Sequence, residues 1–259
     1  MPLDQQREKA LRRVGGYCRR IMAIIANNLS QVHARVGRAC EQAGRPVQSV
    51  TLLTVSKTFG ADAVREAVAA GEHRFGENYV VEGVAKIAAL AEWRTASGAA
   101  LEWHLIGPLQ SNKTRSVAEH FDWVHSVDRL KIAQRLAEQR PAHLAPLQIC
   151  LQVNISAEPG KSGLRPDETL AVARAVAALP RLVLRGLMAI PAPAVSFDAQ
   201  RAPHRALAEL LAALRGAGLP TLDTLSMGMS ADLEAAIAEG STIVRVGSAI
   251  FGTRAASVG

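Results

Sequence analysis

The chain has 259 residues, 49% of them hydrophobic, and a formal net charge of +7. That length suits a single α/β barrel or two small domains, and the apolar content is enough for a large core. Charges interrupt the longest apolar runs well short of the ~20 residues of a membrane span, and no long apolar run with a small-residue cleavage site marks a secretory signal.

Residues 1–21 hold much of the positive charge. Arg7, Lys9, Arg12, Arg13, Arg19 and Arg20 against Asp4 and Glu8 give +4, leaving +3 for the other 238 residues. Aromatic residues are sparse and not interleaved with the basic ones, so no platform for stacking nucleic-acid bases is expected. With Gly15-Gly16 and no apolar stripe, 1–21 reads as a basic, poorly ordered extension, and 22–259 as one domain. Cys18, Cys40 and Cys150 lie far apart with no CxxC pair, which suits reduced thiols in a cytoplasm and deprives the Asn154-Ile155-Ser156 sequon of meaning.

A helical period begins at Ile25 and continues through Leu29, Val32, Val36, Ala39 and Ala43, with Gly44 and Pro46 as stop signals. Short apolar runs then alternate with amphipathic stretches. Strands are expected at 50–56, 73–75, 102–106, 122–125, 147–154, 182–188, 222–225 and 242–246. The intervening helices are expected at 61–70, 78–91, 128–139, 167–178, 203–215 and 231–238. Eight strands alternating with helices predict a parallel sheet, and the number favours a closed (β/α)8 TIM barrel preceded by an extra helix. An open doubly wound sheet usually carries a glycine-rich first turn, and no GxGxxG occurs.

Lys57 ends the first apolar run, Val50 to Ser56, just before a helix start. Partial burial there would lower its ammonium pKa and free the amine to form a Schiff base. An exposed strand-end lysine is the plainer alternative. In barrels of this kind the loops after strands seven and eight often bind phosphate. Here they read Ser226-Met227-Gly228-Met229-Ser230-Ala231-Asp232 and Arg245-Val246-Gly247-Ser248-Ala249-Ile250-Phe251-Gly252, with hydroxyls and glycine-exposed backbone N–H groups. Arg245 could pair with a carboxylate or face a ligand as a permanent donor. Lysine, phosphate cradle and arginine together point to pyridoxal 5′-phosphate (PLP) in Schiff-base linkage.

Thr54-Val55-Ser56-Lys57-Thr58, Phe75-Gly76-Glu77-Asn78-Tyr79, the block from Trp103 to Lys113 and the two phosphate loops resemble the signature blocks of the pyridoxal phosphate homeostasis proteins. The resemblance to this YggS-like family spans about residues 22–254. It implies a barrel of the alanine racemase N-terminal type in which Lys57 holds PLP, and Ser226 with the backbone of Gly247 and Ser248 binds its phosphate. Arg245 would face the pyridine nitrogen, and Asn78 would contact the ring side. His104 lies in a family block, where a structural role is as good a reading.

A cation beside the pyridine nitrogen disfavours its protonation and makes the ring a poorer electron sink. Racemisation would still be allowed, but it needs a base on each face of the ring, and the tyrosines are Tyr17 and Tyr79 alone. The resemblance therefore implies a cytoplasmic protein of PLP homeostasis and delivery, without robust turnover, whose partners include PLP-requiring apo-enzymes. A monomer or weak dimer is expected. An amino acid racemase and a Schiff-base aldolase acting on a phosphorylated sugar are the alternatives. Gly160-Lys161-Ser162 fails as a P-loop because Ile155 stands where its first glycine belongs. Lys161 reads as a turn residue, and His120, His125 and Asp122 as surface or barrel-wall residues. No metal is expected, for want of HxxxH or HExxH spacing.

Overall fold

Eight short apolar runs pair in chain order and close on themselves in the computed structural model, which describes residues 24–93 and 98–252. The strands are β1 (Thr51–Val55), β2 (Arg74–Glu77), β3 (Glu102–Leu105), β4 (Trp123–Val127), β5 (Leu147–Gln152), β6 (Leu182–Met188), β7 (Thr224–Ser226) and β8 (Ile243–Val246). All are parallel. The register from Thr51↔Ile243 to Thr54↔Val246 seals β1 against β8, so no edge strand is left unpaired. Each expected run became a strand, because a strand buried on both faces is a near-continuous apolar run that the sequence displays directly.

The described helices are α1 (24–42), α2 (Ala61–Ala69), α3 (Val80–Ala89), α4 (Thr114–His120), α5 (Leu130–Gln139), α6 (Thr169–Ala177), α7 (Phe197–Gly216), α8 (Leu233–Ala238) and α9 (Ser248–Phe251). Three depart from expectation, among them the short α9, for which no helix was expected. Helix α7 starts at Phe197, well before 203, because the Ser196 hydroxyl accepts the Ala199 N–H and caps the first turn. Pro203 therefore lies inside the helix, at the cost of one ladder bond. Helix α4 has no sequence signature: only Val117 and Ala118 are apolar in its seven residues, and no side chain caps it.

The core has two parts. The larger fills the space between barrel and helices. The smaller comprises Leu53, Val55, Ile106, Trp123, Cys150, Met188 and Ile243, from the strands and the residue following β3, and lies inside the barrel. Helix α1 adds Ile25, Leu29, Val32, Val36, Ala39 and Cys40 to the outer part, on the stripe its period predicts. It is anchored through Asn28, which donates to the Ile250 carbonyl at 2.8 Å, and Arg45, which donates to the Ile237 carbonyl at 2.8 Å. Among the described residues no helix is long and apolar enough to cross a membrane. The expectation for residues 1–21 lies outside the described residues.

Candidate functional site

Parallel strands deliver their carboxyl ends to one face of the barrel, and a cavity of about 410 Å³ opens there. Its lining draws on β1 (Val55), the β1–α2 loop (Lys57), the β2–α3 loop (Asn78) and β8 with its following turn (Arg245, Gly247, Ser248). Met229, Ser230 and Ala231 from the β7–α8 loop complete one wall, and Ile106 and Ile190 supply apolar surface. Among the described residues no carboxylate lines it. Two cations, two hydroxyls and an apolar floor suit a ring bearing an anionic group.

Lys57 is exposed at the mouth, where partial burial was expected. The difference follows from where β1 ends. Ser56 still docks in the sheet, its N–H donating to the Gly76 carbonyl at 3.0 Å, and Lys57 is the first residue past it. Thr58 then adopts a left-handed backbone with φ 68°, a costly conformation for a β-branched residue. Three contacts stabilise it. The Thr58 N–H donates to Glu82 Oε1 at 2.6 Å, and the Phe59 N–H to the Ser56 carbonyl at 3.1 Å. The Phe59 ring also stacks on Phe251, centroids 5.0 Å apart.

Beneath this loop lies an ion-pair cluster. Lys86 Nζ donates at 2.7 Å to Glu77 Oε1, to Glu82 Oε1 and to the Ser56 carbonyl, while the Ser56 hydroxyl donates to Glu77 Oε1 at 2.5 Å. Burial pushes the Glu77 carboxyl up, against the opposing pull of Lys86 and Ser56. The cluster fixes the backbone on both sides of Lys57 and leaves its side chain to the cavity.

Arg245 is buried, and burial pushes its guanidinium down to about 10 despite the Asp232 carboxylate nearby. Nη1 donates to the Ser226 carbonyl at 2.6 Å and Nη2 to the Ala189 carbonyl at 2.9 Å. The Ser230 and Ser248 hydroxyls stand 3.4 Å apart across the mouth.

The alanine racemase, N-terminal domain family matches residues 27–255. The pyridoxal phosphate homeostasis protein of Pseudomonas aeruginosa is 58% identical over 233 residues, 90% of this chain and 97% of the relative. That of Escherichia coli K12 is 55% identical over 230 residues, 89% of this chain and 97% of the relative. This chain belongs to the pyridoxal phosphate homeostasis protein family. Synechococcus elongatus PipY, solved with PLP bound, is 38% identical with a TM-score of 0.76, covering 88% of this chain and all of that one. Alanine racemase from Corynebacterium glutamicum, 18% identical with a TM-score of 0.64 over 92% of this chain and 64% of its own, shares the fold.

Within this family's barrel, five of the six expected site residues converge on the cavity: Lys57, Asn78, Arg245, Gly247 and Ser248. Ser226 does not line it. As the last residue of β7 it is fully buried, and its hydroxyl accepts from Arg245 Nη1 at 2.9 Å and meets His125 Nδ1 at 2.7 Å. Ser230 takes its place on the wall. The Arg35 guanidinium of α1 donates to the Ser230 carbonyl at 2.8 Å and pairs with Glu234 of α8. Asp232 accepts the Met229 N–H at 2.7 Å and meets His204 Nε2 at 3.0 Å. Burial alone would raise the Asp232 carboxyl, but these partners hold it below its usual range.

His104 and His125 prove to be interior residues of the strands, fully buried and bonded to each other, whereas His120 is exposed. Lys161 lies in the turn after β5, paired with Glu158 at 2.5 Å. The roles of Arg35, Glu77, Glu82 and Lys86 left no isolated sign in the sequence. Glu77 at least falls inside one of the family blocks.

Proposed function

We infer that the cavity holds PLP and that the protein serves intracellular PLP homeostasis, keeping the cofactor on Lys57 for delivery to PLP-requiring apo-enzymes. The observation that carries this reading is one 410 Å³ cavity lined by Lys57, Arg245, Ser230 and Ser248 and by no acid. Names and structures in the family supply the ligand: close relatives are pyridoxal phosphate homeostasis proteins, and PipY has been solved with PLP bound.

PLP supplies an aldehyde that condenses with an amine to a Schiff base, releasing water. Lys57 offers that amine at the cavity mouth. Its neighbours Ser56 and Thr58 are held by Glu77, Lys86 and Glu82, so the backbone does not swing as the amine is engaged. The Ser230 and Ser248 hydroxyls, with N–H groups of the Gly247–Ser248 turn, present donors for the phosphate. Arg245 would place a permanent positive charge toward the ring, and Asn78 would border it.

The lining also supports binding over turnover. Moving a proton from one face of a ring to the other takes an acid–base group on each side, and Lys57 is the only such group among the lining residues. Tyr79 is exposed at the start of α3 and is not part of the cavity.

Purified protein titrated with PLP should gain a visible absorption band, and borohydride reduction should fix the label on the Lys57 peptide. Lys57→Ala should lose both. Labelling at another lysine would move the site. Amino acid racemisation that depends on Lys57 would replace homeostasis with the racemase reading.

A further inference from the structure

The barrel interior contains a polar thread behind the cavity wall. From Arg245 Nη1 it passes to the Ser226 hydroxyl at 2.9 Å, to His125 Nδ1 at 2.7 Å, from His125 Nε2 to His104 Nδ1 at 2.9 Å, and from His104 Nε2 to Glu102 Oε1 at 2.9 Å. Arg74 Nε donates to the same carboxylate oxygen at 3.1 Å. Arg245 lines the cavity at the carboxyl end of the strands. Glu102, the first residue of β3, lines a second cavity of about 400 Å³ with Asp122, Arg140 and Arg185. The thread therefore crosses the barrel from the cofactor face to the opposite end.

Its two ends dictate its direction. An arginine only donates and an ionised carboxylate only accepts. The Ser226 hydroxyl, receiving from Arg245, gives its proton to His125 Nδ1. His125 then carries its proton on Nε2 and gives it to His104 Nδ1, and His104 carries its proton on Nε2 and gives it to Glu102. Every link is satisfied with both rings neutral and in the same tautomer. The competing arrangement reverses the middle links and makes His104 an imidazolium inside the barrel. Burial opposes that: it pushes both histidines below their ordinary value, outweighing the opposing pull of Glu102 on His104, and His125 lies well below, with the Arg245 charge adding to the effect there. Packing fixes the rings as well. His104 stacks on Trp123 with centroids 5.3 Å apart and planes at 10°, and meets His125 edge-on at 5.1 Å.

We propose that Ser226, His125 and His104 are positioning residues, forming a one-way hydrogen-bond relay anchored on Glu102 that holds the Arg245 guanidinium against the cofactor cavity. Without it, Arg245 would keep only the Ser226 and Ala189 carbonyls, and its plane would be free to tilt. The relay's two rings are neutral and add no charge beside Arg245, whose carboxylate neighbour is Asp232. The relay's geometry stands apart from the ligand. Its consequence for PLP rests on the function proposed above.

The test begins with the wild-type protein without PLP, its histidines labelled with ¹⁵N. Long-range ¹H–¹⁵N spectra should show His104 and His125 neutral and protonated on Nε2 from about pH 6 to 8. A proton on His125 Nδ1, or an imidazolium at His104, would overturn the relay. This measurement needs no variant and stands whether or not PLP binds. Ser226→Ala should leave both rings in the Nε2–H tautomer, because the Glu102 end still sets it. The variant should weaken PLP binding about tenfold, the effect of losing one hydrogen bond to a charged group, with the borohydride label still on Lys57. Unchanged affinity in Ser226→Ala would refute the positioning role. Failure of wild type to label Lys57 would refute the functional reading and leave the tautomers as evidence for the relay.

Discussion

A methyl group at position 107 would sit 2.2 Å from the Asn78 carbonyl oxygen and 2.6 Å from its Cα. Only glycine lets the β3–α4 loop come this close to the β2–α3 loop, and Ser126 locks it there by donating to the Gly107 carbonyl at 2.6 Å. Gly107→Ala must push Asn78 away from the cavity it borders. We expect a loss of about 1–3 kcal/mol in urea unfolding, the usual penalty of overpacking, together with weaker PLP binding in the same titration used for Lys57. Wild-type values for both would show that the loops yield freely. Lys57 and Arg245 were legible as residues of the cavity-bearing end because a charge at the end of an apolar strand is conspicuous. That Ser226 faces into the barrel was not legible, because a serine facing into the barrel and one facing the loop look alike in a small-residue stretch. The difference lies in which side of β7 its final residue faces.

At the level of elements, β2 and α3 act together on the segment that carries Lys57. Lys86 is buried with its ammonium on Glu77, Glu82 and the Ser56 carbonyl. Removing one partner strands a buried charge, which typically costs about 3–5 kcal/mol. Lys86→Met should lower stability by that order in urea unfolding and loosen the turn at Thr58. The double variant Glu77→Gln with Lys86→Met should recover part of the loss, since it removes both charges. If the double variant is as unstable as the sum of the singles, the pair is not coupled. The amphipathic face of α3 gave its helix away, but nothing in a lysine on that face says that it turns inward. That depends on a glutamate at the end of the preceding strand lying within reach, which only the packing of α3 on β2 brings about.

The whole barrel confines two neutral histidines, and this sets its response to acid. Burial holds His104 and His125 below the ordinary 6.5, so the unfolded chain binds more protons than the folded one once the pH falls below about 6.5. Their contribution to stability is complete above that point and is lost on acidification. Burial also works against the Glu102 carboxylate, yet hydrogen bonds from His104 and Arg74 hold it at about 2, which adds a further loss as the pH falls below about 4.5. His33, raised by its bond to Glu72 although burial opposes it, works in the other direction, stabilising at lower pH and losing that effect as the pH rises. Two fully buried rings outweigh one that is half exposed. The thermal midpoint should therefore drop between about pH 7 and pH 5, and a midpoint that rises over that interval would contradict the neutral interior.

The sequence by itself determined the barrel, the order of its strands and the end of the molecule where the cavity opens. Buried parallel strands must be apolar runs, helices between them must show a stripe, and the ends of such strands must gather on one face. It also determined the ingredients of the cavity, because lysine, arginine and hydroxyl-rich loops are visible one residue at a time. Tertiary structure alone decided which serine reaches the mouth, what holds the loop around Lys57, and that two histidines link Arg245 to Glu102. Each of these joins strands or helices distant in the chain, and a pairing made only by closure of the barrel has no period or spacing from which to read it.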